Sequence, residues 1–243
     1  MNMNEIYDEL KYRFTTLYGV EELMEQPVVI VPDNEPETTL LPEGDVISAV
    51  NRPEYRVTAK ICGSKGEAYT ECPEGFEGTL GQVLKLPVSE KGIDARILAS
   101  MNAVMNHLGL CPGTMSEDPK DLAEYADALC RHITVEYGTG NLVLVGYDGY
   151  LVKRFMDEKL DFWTLDRNPE HITKDRFHHV IVNSGRYNRE SCQAWGRLLI
   201  VTGSTFCNGT VTQFLDMGLP VLFYGITCAA AATLLELPWF RRS

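Results

Sequence analysis

The feature that most restricts how this chain can fold is a pair of apolar runs that break at glycine. One lies in residues 142–147 and breaks at Gly146, and the other lies in residues 199–210 and breaks at Gly203. A continuous apolar run that opens into an amphipathic stretch is typical of a buried parallel strand that leads into a helix. Ligands of open parallel sheets bind where the strands end. The pattern therefore predicts where a site lies before it indicates any chemistry.

The last hundred residues alternate between strand and helix patterns. Strands are predicted at 142–146, 162–166, 198–202 and 220–225, and helices at about 149–159, 209–217 and 227–235. Such alternation predicts a parallel sheet that is covered by helices on both faces, with right-handed crossovers.

In the first half of the sequence, the spacing of apolar residues is different. Apolar residues at helical spacing predict helices over 4–18 and 94–108, ending at Gly19 and Gly109. Between them, short β-rich pieces at 28–31, 46–50 and 56–62 are separated by Pro, Gly and Asn and predict an antiparallel meander. A further helix follows Asp118, which is a good N-cap before Pro119.

These patterns predict an α/β protein with two domains. Residues 1–112, the N-terminal half, form an α+β domain, and residues 113–243, the C-terminal half, form a parallel α/β domain that includes the connecting helix. With 243 residues and 44% hydrophobic content, the chain can build a core without disulfides or metals.

Charge and targeting signals exclude several classes of partner. A net charge of −12 without a Lys/Arg cluster argues against nucleic-acid binding. Residues 1–6 are polar and acidic, unlike a signal peptide, and the apolar tract 221–235 is interrupted by Gly225 and is too short to cross a membrane. Seven cysteines without a Cys-x-x-Cys pair are typical of reduced thiols. We expect a cytoplasmic protein without a membrane partner; a homo-oligomer is compatible with the sequence.

The first candidate constellation joins residues 146–149 with Asp166, at the end of the next strand. A glycine turn brings the backbone close to a ligand, and an acid on the next strand can hold a ribose. The structural alternative makes Gly146 a plain turn, Asp148 an N-cap and Asp166 a partner of Arg167. For dinucleotides we favour this alternative, because the three-glycine fingerprint is absent.

The second constellation is a run of hydroxyl, amide and glycine residues at the end of the predicted strand 198–202. Its members are Thr202, Gly203, Ser204, Thr205, Asn208, Gly209 and Thr210. Such a loop offers several donors to an anion or a carboxylate without a charged side chain. Capping and turn formation would need only one or two of these residues, and the sequence leaves both interpretations open.

Isolated titratable residues give weaker signals. His107 and Cys111 are separated by the helix-ending Gly109, and the adjacent His178 and His179 would point to opposite sides of a strand, so a surface or structural role is favoured over a metal site for each. Cys207 is the one thiol whose pKa a helix start could lower, although a small buried residue is its more ordinary role.

Several stretches resemble a family of unknown function that has been associated with heavy-metal chelation. They are residues 145–147, 164–169 and 201–210, together with Gly66–Thr70 and residues 100–103, which resemble that family's N-terminal domain. The resemblance implies an enolase-N-terminal-like α+β domain joined to a Rossmann-like domain, with a site in the cleft between them. Two departures are the long segment 169–197 and the chain's end soon after Phe240, where another strand is expected.

Carried over position by position, the resemblance implies a set of ligand-binding residues. These are Asn102 from the N-terminal domain and Gly146, Tyr147, Asp166, Arg167, Asn168, Thr202, Gly203, Ser204, Thr205, Asn208 and Gly209 from the C-terminal domain. No protein-only metal ligand set is visible, so a metal ion would arrive as a metal chelate.

Three functions are therefore open. The first is a binding or biosynthetic-accessory protein that holds a small anionic or metal-chelating ligand. The second is an enzyme that uses a nucleotide-type ligand such as NAD, S-adenosylmethionine or a nucleoside phosphate, with Asp166 on the ribose and Asp148 or Tyr147 as proton carrier. The third is a structural subunit that acts only through a partner-binding surface.

Overall fold

The predicted fold class is confirmed by the computed structural model of the chain. It describes residues 2–42, 44, 46–48, 52–88, 92–116, 118–174, 177, 180–183 and 187–241. An antiparallel four-stranded sheet lies in the N-terminal half, and a separate five-stranded parallel sheet lies in the C-terminal half.

In its described residues, the N-terminal half combines three α-helices with two antiparallel sheets. Its elements are α1 (Met3–Thr15), β1 (Pro27–Pro32), β2 (Thr38–Leu40), β3 (Val46–Ser48), β4 (Tyr55–Ile61), β5 (Ser64–Thr70), β6 (Phe76–Thr79), α2 (Leu80–Val83) and α3 (Ala95–His107). The main sheet has the order β5-β4-β1-β6, and β2 pairs with β3 in a separate hairpin. The expected sequential meander is thus refined, because the last strand returns to the edge of the first.

Local sequence explains where the two long helices of this half begin. The side chain of Asn2 accepts a hydrogen bond from the amide of Glu5, whose carboxylate returns one to the amide of Asn2. This reciprocal capping satisfies two amides that a helix start leaves unpaired. Asp94 caps α3 in a similar way by accepting from the amide of Arg96.

The C-terminal half forms the parallel sheet and its covering helices. Its elements are α4 (Leu122–Glu136), β7 (Leu142–Val145), α5 (Gly149–Asp157), β8 (Phe162–Asp166), α6 (Pro169–Lys174), β9 (Ile181–Asn183), α7 (Arg189–Trp195), β10 (Leu198–Thr202), α8 (Ser204–Cys207), α9 (Val211–Leu215), β11 (Val221–Tyr224) and α10 (Ala229–Leu234). The strand order is β11-β10-β7-β8-β9, and every pair is parallel. The central strands β7 and β10 are almost wholly buried, as their continuous apolar runs predict.

Three features of this half differ from what the sequence indicated. The helix predicted over 209–217 is the shorter α9, and the unpredicted turn α8 precedes it; the two are separated at Gly209, where φ is +75°. The segment 169–197 is not a plain connection, since it contributes α6, the edge strand β9 and α7. The strand expected at the chain's end is reduced to one parallel bridge between Phe223 and Trp239.

The two halves share one apolar core instead of merely touching. Phe14 and Val104 from the N-terminal half belong to the same buried cluster as Phe206 and Ala230 from the C-terminal half. The packing of α1 and α3 against α10 carries this cluster across the boundary. The relative position of the halves is therefore set by core packing, and the cavity between them has fixed walls.

No helix in the described part of the chain is long and apolar enough to span a bilayer.

Candidate functional site

A cavity of about 650 Å³ lies where the strands of the parallel sheet end, and both halves line it. This volume is in the range of small-molecule sites. Ten of the twelve sequence-predicted ligand residues line it, namely Gly146, Tyr147, Asp166, Arg167, Asn168, Thr202, Gly203, Ser204, Thr205 and Asn208. The two glycine-broken strands therefore converge on one place, as the sequence predicts.

The turn after β7 is built tightly around Gly146. Its φ is +90°, and a Cβ atom there would lie 2.6 Å from the Cγ2 of Thr202. The Tyr224 hydroxyl donates to the carbonyl of Gly146 at 3.0 Å, and burial holds the pKa of this phenol well above its ordinary value. Only glycine fits both the backbone conformation and the close contact between the two strand ends.

The loop after β10 keeps an uncharged, hydroxyl-rich surface. The hydroxyl of Thr205 donates to the carbonyl of Thr202 at 2.7 Å, and Asn208 accepts from the amide and the hydroxyl of Thr210. These bonds agree with the turn-forming interpretation for three of the loop's residues. The hydroxyl of Ser204 lines the cavity and has no hydrogen-bond partner among the described residues. The loop thus serves its own turn and also leaves a donor for a ligand.

Asp166, at the end of β8, makes hydrogen bonds to the turn after β7 and to α6 and the residue before it. Its Oδ2 accepts from the amide of Tyr147 at 2.6 Å, while Oδ1 accepts from the amide of Asn168 at 2.6 Å and faces Nδ1 of His171 at 3.0 Å. The expected pairing with Arg167 is absent, since that guanidinium faces Glu71 instead. A ribose diol needs both carboxylate oxygens, and the two acceptor positions of Oδ1 are already used.

His171 is a site residue that the sequence did not reveal. It comes from α6, is 8% exposed, and its ring stacks on Tyr147 with centroids 4.9 Å apart. Its Nε2 lies 2.9 Å from the hydroxyl of Thr39 in β2. The hairpin of the N-terminal half is thereby hydrogen-bonded to a helix of the C-terminal half across the cavity wall.

Charged side chains just before β4 and just after β5 line the facing wall, next to Arg167. The carboxylate of Glu71 lies 3.4 Å from Arg52 and 3.2 Å from Arg167, so two guanidinium groups share one acid. Arg52 and Arg167 thus keep guanidinium N–H groups that Glu71 does not use. The arrangement favours an incoming anion, because a guanidinium pairs well with carboxylate or phosphate.

Glu54 lines the same wall without a partner for its carboxylate among the described residues. Burial, followed by the nearby charges of Asp166 and Glu71, raises the pKa of Glu54 to about 7. The carboxyl can therefore donate a hydrogen bond at slightly acid pH and accept at slightly basic pH.

Asn102 and Gly209 are the two predicted residues that do not line the cavity. Asn102 is fully buried, and its amide donates to the carbonyls of Glu67 at 2.8 Å and Ile226 at 3.0 Å while its Oδ1 accepts from the amide of Ala230 at 2.8 Å. The expectation that Asn102 faces a ligand is thus corrected: it bonds the N-terminal half to the start of α10.

Asp148 behaves as the structural alternative predicts. Its Oδ1 accepts from the amides of Tyr150 and Leu151, both at 2.9 Å, at the first turn of α5. Burial raises the pKa of Asp148. The carboxylate thus occupies the amides that a phosphate would otherwise bind.

Among the described residues, the remaining candidates do not form a reactive or metal centre. All seven cysteines are free, and burial holds the pKa of Cys207 well above its ordinary value, which overturns the suggestion of a lowered pKa. Cys111 is buried against Thr233, whereas His107 is exposed. His178 and His179 lie outside the described residues. Within the described residues, no group of three or more His, Cys, Asp and Glu could hold a metal ion.

The sequence patterns predicted no cavity-lining residue of the N-terminal half, although that half supplies one wall of the cavity. The hairpin, the strands β4 and β5 and the residues beside these strands contribute Thr38, Thr39, Leu40, Arg52, Glu54, Arg56, Tyr69 and Glu71. Alternation along β4 and β5 marks polar positions on their open face, but it does not say which of these positions meet the other half. His171 had a weak signal, a histidine five residues after Asp166, which puts it within one helical turn of the strand end.

No protein-family model matches the chain, and a search of curated proteins finds no significant match.

Proposed function

We propose that this chain binds a small anionic or metal-chelating ligand in the cavity between its halves. The observation that carries the proposal is the pair Arg52 and Arg167, which share the single carboxylate of Glu71 on the cavity wall. A ligand carboxylate or phosphate would satisfy the guanidinium donors that Glu71 leaves unused.

The uncharged loop after β10 adds donors for the same ligand. The free hydroxyl of Ser204 and the turn at Gly203 line the cavity. Neutral donors orient an anion without the strong, non-selective attraction of further cations. This combination suits a polycarboxylate or a similar chelator better than an apolar ligand.

A metal ion would enter such a site bound to its chelator. The described residues offer no metal-ligand cluster of their own, so the metal's coordination would come from the ligand. The resemblance to the family associated with heavy-metal chelation, together with the expected cytoplasmic location, supports a role in metal handling.

Isothermal titration tests the proposal with nickel and zinc ions alone, with citrate, and with the two metal citrates. We expect citrate or its chelates to bind, and Arg167→Met to weaken that binding by about tenfold, because one charge-assisted hydrogen bond is lost. Arg131→Met is the matched control, since Arg131 is exposed on α4 away from the cavity. Absence of binding for every probe, alone or with nucleotide, contradicts the proposal.

The enzyme with a nucleotide-type ligand remains the alternative. The hydrogen bonds that Asp166 already makes count against a ribose at that carboxylate. A thermal-shift panel with NAD, S-adenosylmethionine and nucleoside phosphates separates the two functions, because the alternative requires one clear stabiliser among them.

A further inference from the structure

Three side chains stand in a hydrogen-bonded row on the cavity wall. Asp166 Oδ1 lies 3.0 Å from His171 Nδ1, and His171 Nε2 lies 2.9 Å from the hydroxyl of Thr39. All three line the cavity. The sequence places them 132 positions apart at most, so the row exists only because the hairpin meets α6.

The carboxylate end of the row is held rigidly. Asp166 is 7% exposed, and the amides of Tyr147 and Asn168 donate to its two oxygens at 2.6 Å each. An ionised carboxylate only accepts hydrogen bonds, so Nδ1 of His171 must be the donor in their contact. The orientation of Asp166 therefore fixes the tautomer of the imidazole.

That tautomer leaves Nε2 of His171 as an acceptor, and the Thr39 hydroxyl must donate to it. The ring cannot swing freely, because it is 8% exposed and stacks on Tyr147. A hydroxyl that donates to an imidazole, which in turn donates to a buried acid, is the arrangement that activates hydroxyl nucleophiles on unrelated folds.

We propose that Thr39 is a nucleophile for activated acyl groups, with His171 as its general base and Asp166 as the residue that positions His171. The Thr39 oxygen bonds to the acyl carbon of an ester or thioester while its proton passes to Nε2. The bond to the alcohol or thiol then breaks, and Nε2 returns the proton to that leaving group.

Water completes the reaction. The oxygen of a water molecule attacks the acyl–Thr39 ester while His171 takes a proton from that water. The proton then passes to the Thr39 oxygen as the carboxylic acid leaves. Atoms and protons balance without any cofactor. Arg52 and Arg167 in the same cavity favour an acyl donor that also carries a carboxylate or phosphate.

Intact-protein mass spectrometry after exposure to p-nitrophenyl acetate tests this activity, with peptide mapping to locate the acyl group. We expect one acetyl group on Thr39, lost in Thr39→Val and retained in Thr39→Ser, which keeps a hydroxyl. Thr58→Val, on β4 outside the cavity lining, is the matched control and should acylate like the native chain.

Two further variants distinguish a loss of proton transfer from a loss of folded structure. The amide of His171→Gln can still accept from Thr39 but cannot take its proton, so acylation should fall at least a hundredfold while the melting temperature changes little. Asp166→Asn should lower the maximal acylation rate and leave the half-saturating ester concentration unchanged. A native chain that neither carries an acetyl group nor releases p-nitrophenol faster than Thr39→Val, an acetyl group elsewhere, or equal acylation of Thr39→Val overturns the proposal. The citrate titrations decide ligand binding separately.

Discussion

At the scale of single residues, Glu54 is an acid whose surroundings shift its pKa strongly. It is partly buried beside Asp166 and Glu71, and its pKa is raised to about 7. In the unfolded chain the same carboxyl titrates near its ordinary value of 4.5. Folding thus favours the protonated form of Glu54. At a pH between 4.5 and about 7, the folded state therefore binds more protons than the unfolded state.

The contribution of Glu54 to stability is fully present below about pH 4.5 and is lost as the pH rises through about 7. We expect Glu54→Gln to remove this loss. The difference in the free energy of unfolding between the variant and the native chain should then be about 2 kcal/mol more favourable to the variant at pH 8 than at pH 5. Urea unfolding at both pH values measures the difference.

Glu77→Gln is the control for this prediction, because Glu77 is exposed on β6 and does not line the cavity. Its difference from the native chain should be the same at both pH values. A constant difference for Glu54→Gln as well would show that the carboxyl titrates alike in the folded and unfolded chains.

The sequence predicted the cavity wall that is formed by the strand ends of the C-terminal half, but not the wall where the hairpin meets α6. Gly146, Asp166 and Thr202 carried signals because strand ends followed by glycine and hydroxyls form a local pattern. Thr39 and His171 carried almost none, since their relation is a tertiary contact between segments without strong periodicity. Asn102 was placed on the correct helix, but sequence cannot distinguish an amide that binds a ligand from one that pairs with backbone.

At the scale of elements, the closest packing in the N-terminal half joins β5 and α3. A Cβ atom on Gly66 would lie 2.2 Å from the amide nitrogen of Ala103 and 2.6 Å from the carbonyl oxygen of Ala99. Both atoms are backbone, so neither can move aside alone. The helix therefore lies directly on the strand at this point, and glycine is required for the contact.

Gly66→Ala should accordingly destabilise the fold by about 3 kcal/mol, because the added methyl group forces α3 away from β5. Gly140→Ala is the matched substitution, since nothing lies within 4 Å of a Cβ there. Its effect should stay within about 0.5 kcal/mol. Guanidinium unfolding compares the two variants, and equal midpoints would contradict the packing described at Gly66.

Elements with strong periodicity were predictable, and those fixed by tertiary pairing were not. The strands at 142–145 and 198–202 are buried on both faces, so their apolar runs are unambiguous. β5 (Ser64–Thr70) and β9 (Ile181–Asn183) have mixed patterns and exist because a neighbouring strand completes their hydrogen bonds. Their sequences alone do not specify an extended backbone.

At the scale of the whole molecule, the halves are coupled through one core and through Asn102. The three hydrogen bonds of Asn102 satisfy Glu67, Ile226 and Ala230, which lie on both sides of the boundary. Tyr69 adds a further bond, since its amide donates to the hydroxyl of Thr227 at 3.0 Å. Neither half can open without exposing core and unpaired backbone of the other.

We therefore expect both halves to unfold in one cooperative transition, and Asn102→Ala to destabilise them together by about 3 kcal/mol. The alanine leaves two carbonyls and one amide unpaired in a buried position. Tryptophan fluorescence reports the C-terminal half, which holds all three tryptophans, and hydrogen exchange of β4 and β5 reports the N-terminal half. Both probes should give the same free energy of unfolding for the native chain, and Asn102→Ala should lower it by the same amount for both.

Asn106→Ala distinguishes this coupling from a general effect on α3. Asn106 lies one turn further along the helix, and its amide makes one exposed bond, to the carbonyl of Lys65 at 3.1 Å. Its loss should cost less than about 1 kcal/mol, because water replaces the missing partner. If Asn102→Ala shifted only one probe, the halves would unfold independently and the cavity walls would not be fixed by a shared core.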